Sequence, residues 1–273
     1  MGSDPIKIAN SSGFPLQIAV SSIVNKSRNW RVMFEEHPWR LNEMRTEGFI
    51  DVVTLNQKHN TVMVIECKRY KDTGWVFLIP DTTPKIRPPI SSWISKCSRM
   101  EFEKYGWEQC HADPSSYLSY YCAINGQERG RNLLMERVLT DLIDSIEAFA
   151  NEDRQMLLQT GRHNFTRFYI PVMVTTAKLF VTHFDPMSIS LHDGSLPEET
   201  PYKEVPYVRF RKSLTTHIEY SSASSAVDIH SMSERTVFIV NAEKLSEFLE
   251  ICEVNVIEDE FGRESMPIDF FNN

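Results

Sequence analysis

The sequence predicts an α/β chain, and three observations carry that prediction. Two apolar, β-branched runs, Gly48 to Asn56 and Thr61 to Lys68, flank the polar segment Asn56 to Asn60, the pattern of an antiparallel hairpin. Leu134, Val138, Leu142, Ile146 and Phe149 fall on one face at helical spacing, which predicts a long helix over Leu133 to Ala150. The apolar stretch Phe168 to Thr176 then reads as a buried strand.

The remaining elements follow in chain order. Met1 to Pro5 has the makeup of a vector-derived leader and is left out of the fold reading. Phe14 to Lys26 is a helix candidate with Pro15 in its first turn, where a missing N–H costs nothing. Trp30 to Glu35 is a strand, followed by the hairpin. Lys71 to Asp113 shows little periodicity and holds Pro80, Pro84, Pro88 and Pro89, so it reads as a long irregular insertion with a short helix over Ser91 to Glu103. Such an insertion shapes a groove or a protein interface. Lys178 to Phe184 reads as a strand paired hairpin-like with its predecessor around Thr175-Thr176-Ala177. His192 to Ser195 is a turn and Pro197 to Pro206 a loop. Val205 to Leu214 and Thr236 to Val240 are strands joined across a Ser-rich connection, Ser221 to Ser233, and Asn241 caps a helix over Ala242 to Cys252.

At 273 residues the chain is long enough to bury a sizeable core. Its 41% hydrophobic and 24% charged content is that of an ordinary globular protein. No apolar run approaches a membrane span and the start lacks the pattern of a signal peptide. Five scattered Cys, an odd number, fit a reducing, cytoplasmic setting. Cys97, Cys110 and His111 lack the spacing of a zinc knuckle, and no Gly-rich phosphate loop occurs. The net charge of −8 argues against a protein that coats nucleic acid non-specifically. It is compatible with an acidic metal site beside a local basic groove, and with a partner chain or second protomer supplying affinity.

The chemistry concentrates in Asp51, Glu66 and Lys68. Glu66 and Lys68 are two apart on a strand and share a face, and the hairpin brings Asp51 across from Glu66. Two carboxylates and an ammonium at one spot suit a hard divalent cation, Mg²⁺ or Mn²⁺, with the carbonyl of Cys67 as a further oxygen.

The pattern Asp51…Glu66-Cys67-Lys68 resembles the PD-(D/E)xK nuclease superfamily, and the run Phe168 to Ala177 followed by Val208 to Lys212 resembles an uncharacterised bacterial branch of it. The resemblance covers roughly residues 12–182. It implies a restriction-endonuclease-like fold, a mixed β-sheet core flanked by helices in the order αβββαβ, with residues 183–273 a C-terminal α+β elaboration of one nuclease-like domain spanning 1–273. It implies metal-dependent hydrolysis of phosphodiester bonds, most simply in DNA by endonucleolytic cutting, with RNA as the other substrate. Asp51, Glu66 and Cys67 would hold the metal, and Asp51, Glu66 and Lys68 would be the catalytic set. Many members carry a Glu on the first helix. Here that position is Gln17, at the edge of the site, with Glu35, Glu36 and Glu47 as alternative carboxylates. In the related fold the segment before the long helix faces the site, so Gln127, Arg129 and Arg131 are candidates for phosphate binding.

Bland readings compete with each of these. Asp51, Glu66 and Lys68 also fit a salt-bridged cluster on a half-exposed sheet, or a non-cleaving relative that binds nucleic acid or a partner protein. His37 and Trp39 fit ordinary loop packing as well as nucleic-acid contact. Arg209-Phe-Arg-Lys212 fits a charged edge strand as well as a nucleic-acid-binding one.

Overall fold

The computed structural model describes residues 4–41, 46–70, 73–81, 89–98, 104–124, 134–213 and 233–256. The described elements begin with two helices, α1 (Pro5–Ser11) and α2 (Phe14–Lys26), and three strands, β1 (Trp30–Leu41), β2 (Thr46–Asn56) and β3 (Thr61–Lys68). There follow β4 (Gly74–Pro80), β5 (Ile90–Cys97), β6 (Lys104–Asp113), β7 (Leu118–Ser119) and β8 (Tyr121–Ile124). The long helix α3 (Leu134–Gln159) leads into β9 (Phe165–Thr175), β10 (Lys178–Phe184), β11 (Tyr202–Val205), β12 (Tyr207–Ser213) and β13 (Glu234–Asn241). The last elements are α4 (Leu245–Ile251) and β14 (Glu253–Val256). The class is α/β with mixed sheets. Gln127, Arg129, Arg131 and most of the Ser-rich connection lie outside the described residues.

The main sheet runs β1-β2-β3-β9-β13-β12-β7. β1, β2 and β3 are antiparallel neighbours, whereas β3, β9 and β13 are parallel. β9 is the hub. Its first half pairs with β5 and its second half with β13, while β3 lines its other edge. The C-terminal strands β12 and β13 therefore extend the same sheet.

Period-2 alternation divides the core into two layers. Val62 and Val64 of β3 and Val53 and Leu55 of β2 pack with Val138, Leu142, Ile146 and Phe149 of α3. Met63, Ile65 and Cys67 face the other way, toward Val20 and Val24 of α2 and Phe248 and Leu249 of α4. α3 thus covers one face, and α2 with α4 the opposite one. A second sheet, ordered β11-β10-β4-β8, adds Trp75, Phe77, Ile79, Leu179 and Val181 to the α3 layer.

Several expectations change. Lys71 to Asp113 is not an irregular insertion, because its described parts form β4, β5 and β6. The helix expected over Ser91 to Glu103 is strand β5 as far as Cys97, and residues 99–103 lie outside the described set. The signal was hidden because β5 buries serines where alternation calls for apolar residues. Ser92 is tolerated inside because its hydroxyl donates to the Tyr169 carbonyl at 3.0 Å. β10 does not pair back on β9. Both edges of β9 are taken by β3 and β13, so the chain leaves to join β4 and β11. The loop expected over Pro197 to Pro206 contains β11, a short edge strand exposed at Tyr202, Lys203 and Glu204. α3 runs two turns further than expected, to Gln159, and the five-residue leader contributes Asp4, which caps α1 by accepting from the Ile6 N–H at 3.0 Å.

β1 also continues past Glu35 to Leu41, so His37 and Trp39 sit in a strand rather than a loop. Trp39 is buried, and its indole lies so close to Gly48 that a Cβ there would sit 3.0 Å from Nε1. A glycine at position 48 lets the two strands pair over the ring. The cap at Asn241 is present, its side chain accepting from the Glu243 N–H at 2.9 Å, and a 3₁₀ turn over Ala242–Lys244 precedes α4.

Candidate active site

Asp51 follows Val53 on the α3 face of β2, and Glu66 and Lys68 follow Val62 and Val64 on the same face of β3. The ladder between the strands is in register at Val52↔Ile65, so Asp51 and Glu66 occupy the next position along. Asp51 Oδ2 accepts the Cys67 N–H at 2.6 Å, which pins its carboxylate to the third strand. Lys68 Nζ lies 2.5 Å from Glu66 Oε1, with the two side chains 32% and 19% exposed. Two carboxylates thus meet one ammonium at the solvent margin of a largely buried face.

The electrostatics follow from that imbalance. Burial raises the Asp51 carboxyl above its usual range, and Glu36 adds to the rise, against the Cys67 N–H and Lys68. Burial and the charge of Asp51 push Glu66 up to about 7, even with Lys68 beside it. Burial alone would lower the Lys68 ammonium, but Glu66 and Asp51 outweigh it and raise it. Cys67 points into the α2 layer, and burial drives its thiol well above the ordinary value, which makes it an inert packing group.

Gln17 comes to the site from behind. It is buried on α2, and its Nε2 donates to the Asp51 carbonyl at 3.0 Å, from the side opposite the carboxylates. It holds the backbone that carries Asp51 and does not join the carboxylates. Of the alternative acids, Glu36 is the one whose charge bears on Asp51. It stands between the pairs Glu35↔Val52 and His37↔Ile50, exposed, with φ 50, a left-handed conformation that is costly for a side chain of this kind. Glu47 is instead paired with Arg40 on the exposed surface.

Asp141 was not anticipated. It lies on α3, exposed, and its charge acts on Glu66, while Lys68 and Arg137 act on it. Sequence periodicity could place it beside the buried stripe of α3 but gives no hint of what lies under that flank. Tyr70, two residues past Lys68, stacks edge-on against Trp75 at 5.1 Å and also feels the Lys68 charge.

The other candidates lie elsewhere. Arg209 is fully buried, its guanidinium donating to the carbonyls of Ala112 at 2.6 Å and Pro114 at 2.9 Å. Arg211 is held by Thr236 Oγ1 at 3.0 Å and by the Pro89 carbonyl, and Lys212 pairs with Glu136. The strand Arg209–Lys212 is therefore internal scaffolding, not a nucleic-acid-binding edge. His37 is bound to Glu152 on α3 at 3.0 Å. In the β5–β6 ladder Ile90 faces Cys110, which leaves Cys97 at the far end of β5.

Among the described residues, no three His, Cys, Asp or Glu side chains gather into a cage for a metal. Asp51 and Glu66 offer two hard oxygen donors at an accessible margin, with one negative charge uncompensated by Lys68. That donor set fits Mg²⁺ or Mn²⁺, which take one or two carboxylates and fill the remaining positions with water and phosphate oxygens. No protein-family model, curated protein or solved structure matches the chain.

Proposed function

We propose that this chain is a divalent-cation-dependent nuclease of the PD-(D/E)xK type, acting on DNA. The observation that carries the reading is the convergence of Asp51, Glu66 and Lys68 on one sheet face, with a net negative charge left open to solvent. The order α2-β1-β2-β3, then α3 and β9, supports the restriction-endonuclease-like fold behind it.

Asp51 and Glu66 would hold the cation, with the Cys67 carbonyl as a further oxygen. A bound cation would polarise the scissile phosphate and lower the pKa of a coordinated water. Asp51 is oriented for this by the Cys67 N–H, and its strand is held from behind by Gln17. Lys68 supplies the positive charge that stabilises the phosphate as negative charge builds on its oxygens. The α3 layer closes the site from one side.

The test is incubation of the protein with supercoiled plasmid, linear duplex, single-stranded DNA and RNA, with Mg²⁺, Mn²⁺ or chelator. Cutting should require the metal and fall about 10²–10³-fold in Lys68→Ala, while circular dichroism stays that of the parent. Cutting that survived Asp51→Ala unchanged would sink the assignment. Absence of cutting on every substrate, with nucleic-acid binding retained, would instead favour a non-cleaving module.

A further inference from the structure

The chain that carries Glu66 and Lys68 does not end its alternation with them. Both side chains lie on the α3 face of β3, and the next position on that face is Tyr70, which packs against the α3 layer. The strand stops at Lys68, yet the backbone beyond it is held in line. Thr176, just past the end of β9, accepts the Tyr70 N–H at 2.8 Å and donates its hydroxyl to the Tyr70 carbonyl at 2.7 Å. Its own N–H donates to the Lys68 carbonyl at 3.3 Å. One residue thus fixes Lys68 and Tyr70 against the same strand end.

The Tyr70 ring is fixed as well. Trp75, on β4, meets it edge-on, with centroids 5.1 Å apart and planes at 76°. Trp75 is buried, whereas Tyr70 is only half-buried. The tyrosine is therefore anchored by the indole and still partly open to solvent. Two residues along an extended chain are about 7 Å apart, so a held aromatic surface stands about that far from the ammonium that would meet a phosphate. A cation and an aromatic surface side by side suit the two parts of one nucleotide, its phosphate and its base. Bases inside a duplex already stack on their neighbours, and only an unpaired base has a face to offer. A chain of net charge −8 also has little general attraction for a duplex backbone, which gives a base contact more weight in the affinity.

We propose that Tyr70 is a substrate-binding residue that stacks on the base adjoining the phosphate at Lys68, and that single-stranded DNA is the preferred substrate. The proposal deepens the nuclease reading and rests on its placement of a phosphate at Lys68.

The experiment compares oligodeoxythymidylate with an abasic strand of equal length and charge, by fluorescence anisotropy in Ca²⁺, a hard cation for the same carboxylates. The parent should bind oligodeoxythymidylate at least about five-fold more tightly than the abasic strand. Tyr70→Leu, which keeps an apolar side chain against Trp75, should bind the two strands alike, within about two-fold, while Tyr70→Trp keeps the preference. Lys68→Ala should weaken both strands by the same factor, since it removes only a charge contact. A parent indifferent to the bases would overturn the proposal, as would a preference that persists in Tyr70→Leu. Cleavage in Mg²⁺ separates this outcome from the fate of the nuclease reading. Cutting by a parent with no base preference would remove the stacking site and keep the nuclease. A base preference lost in Tyr70→Leu, in a parent that cuts nothing, would keep the stacking site and remove the nuclease.

Discussion

Two clusters of charge sit on the same sheet and differ in one respect. Asp153, Arg167 and Tyr169 form a buried set: the guanidinium pairs with the carboxylate, the Tyr169 hydroxyl donates to Asp153 Oδ2 at 2.7 Å, and one acid meets one base. Asp51, Glu66 and Lys68 place two acids against one base at an exposed margin. The first cluster balances its charges away from solvent, so it has no use for a further ion. The second is left short of positive charge. That difference separates a structural ion pair from a site that can take up a cation.

The contrast can be broken most forcefully at the buried cluster. Asp153→Ala leaves Arg167 buried without its partner and should cost about 3–5 kcal/mol, measured by urea unfolding at neutral pH, while Lys68→Ala changes stability far less. A loss below ~1 kcal/mol for Asp153→Ala would show that the buried pair contributes no more than an exposed one.

The open cluster should show itself in pH dependence. Glu66 is raised to about 7 in the folded protein from an ordinary 4.5. Between those values the folded state binds more protons than the unfolded one, so cation-free stability should fall as pH rises through this window. The loss should come to about 1–3 kcal/mol once partial exposure is allowed for. Glu66→Gln should flatten the slope, and Mg²⁺ should stabilise the parent more at pH 8 than at pH 5. A slope unchanged in Glu66→Gln would move its origin to another group.

Smaller effects sharpen the account of the scaffold. Gln17→Ala removes a buried hydrogen bond to the Asp51 carbonyl and should cost about 1 kcal/mol, with a larger proportional effect on cation binding than on stability. Arg40→Ala breaks the exposed pair with Glu47 and should shift stability by less than about 0.5 kcal/mol. A larger shift would mean the β1–β2 end is held by that pair instead of by Trp39 packed on Gly48.

Local patterns go a long way in this chain. β-branched alternation and a polar turn are enough to mark the β2–β3 hairpin, and with it the shared face of Glu66 and Lys68, because the period of a strand is set by its backbone. The stripe Val138, Leu142, Ile146 and Phe149 marks α3 for the same kind of reason. Where sequence reading failed, a tertiary partner had replaced the local signal. β5 buries Ser92, which a neighbouring carbonyl satisfies, β10 is steered away by strands that already flank β9, and Arg209 is internal because the Ala112 and Pro114 carbonyls receive it. The sequence by itself determined the acids, the base and the face they share. Only the tertiary structure decided that Gln17 supports Asp51 from the opposite side and that the charge of Asp141 on α3 bears on Glu66. Both depend on which helix covers which face of the sheet, and that is settled by packing between segments far apart in the chain.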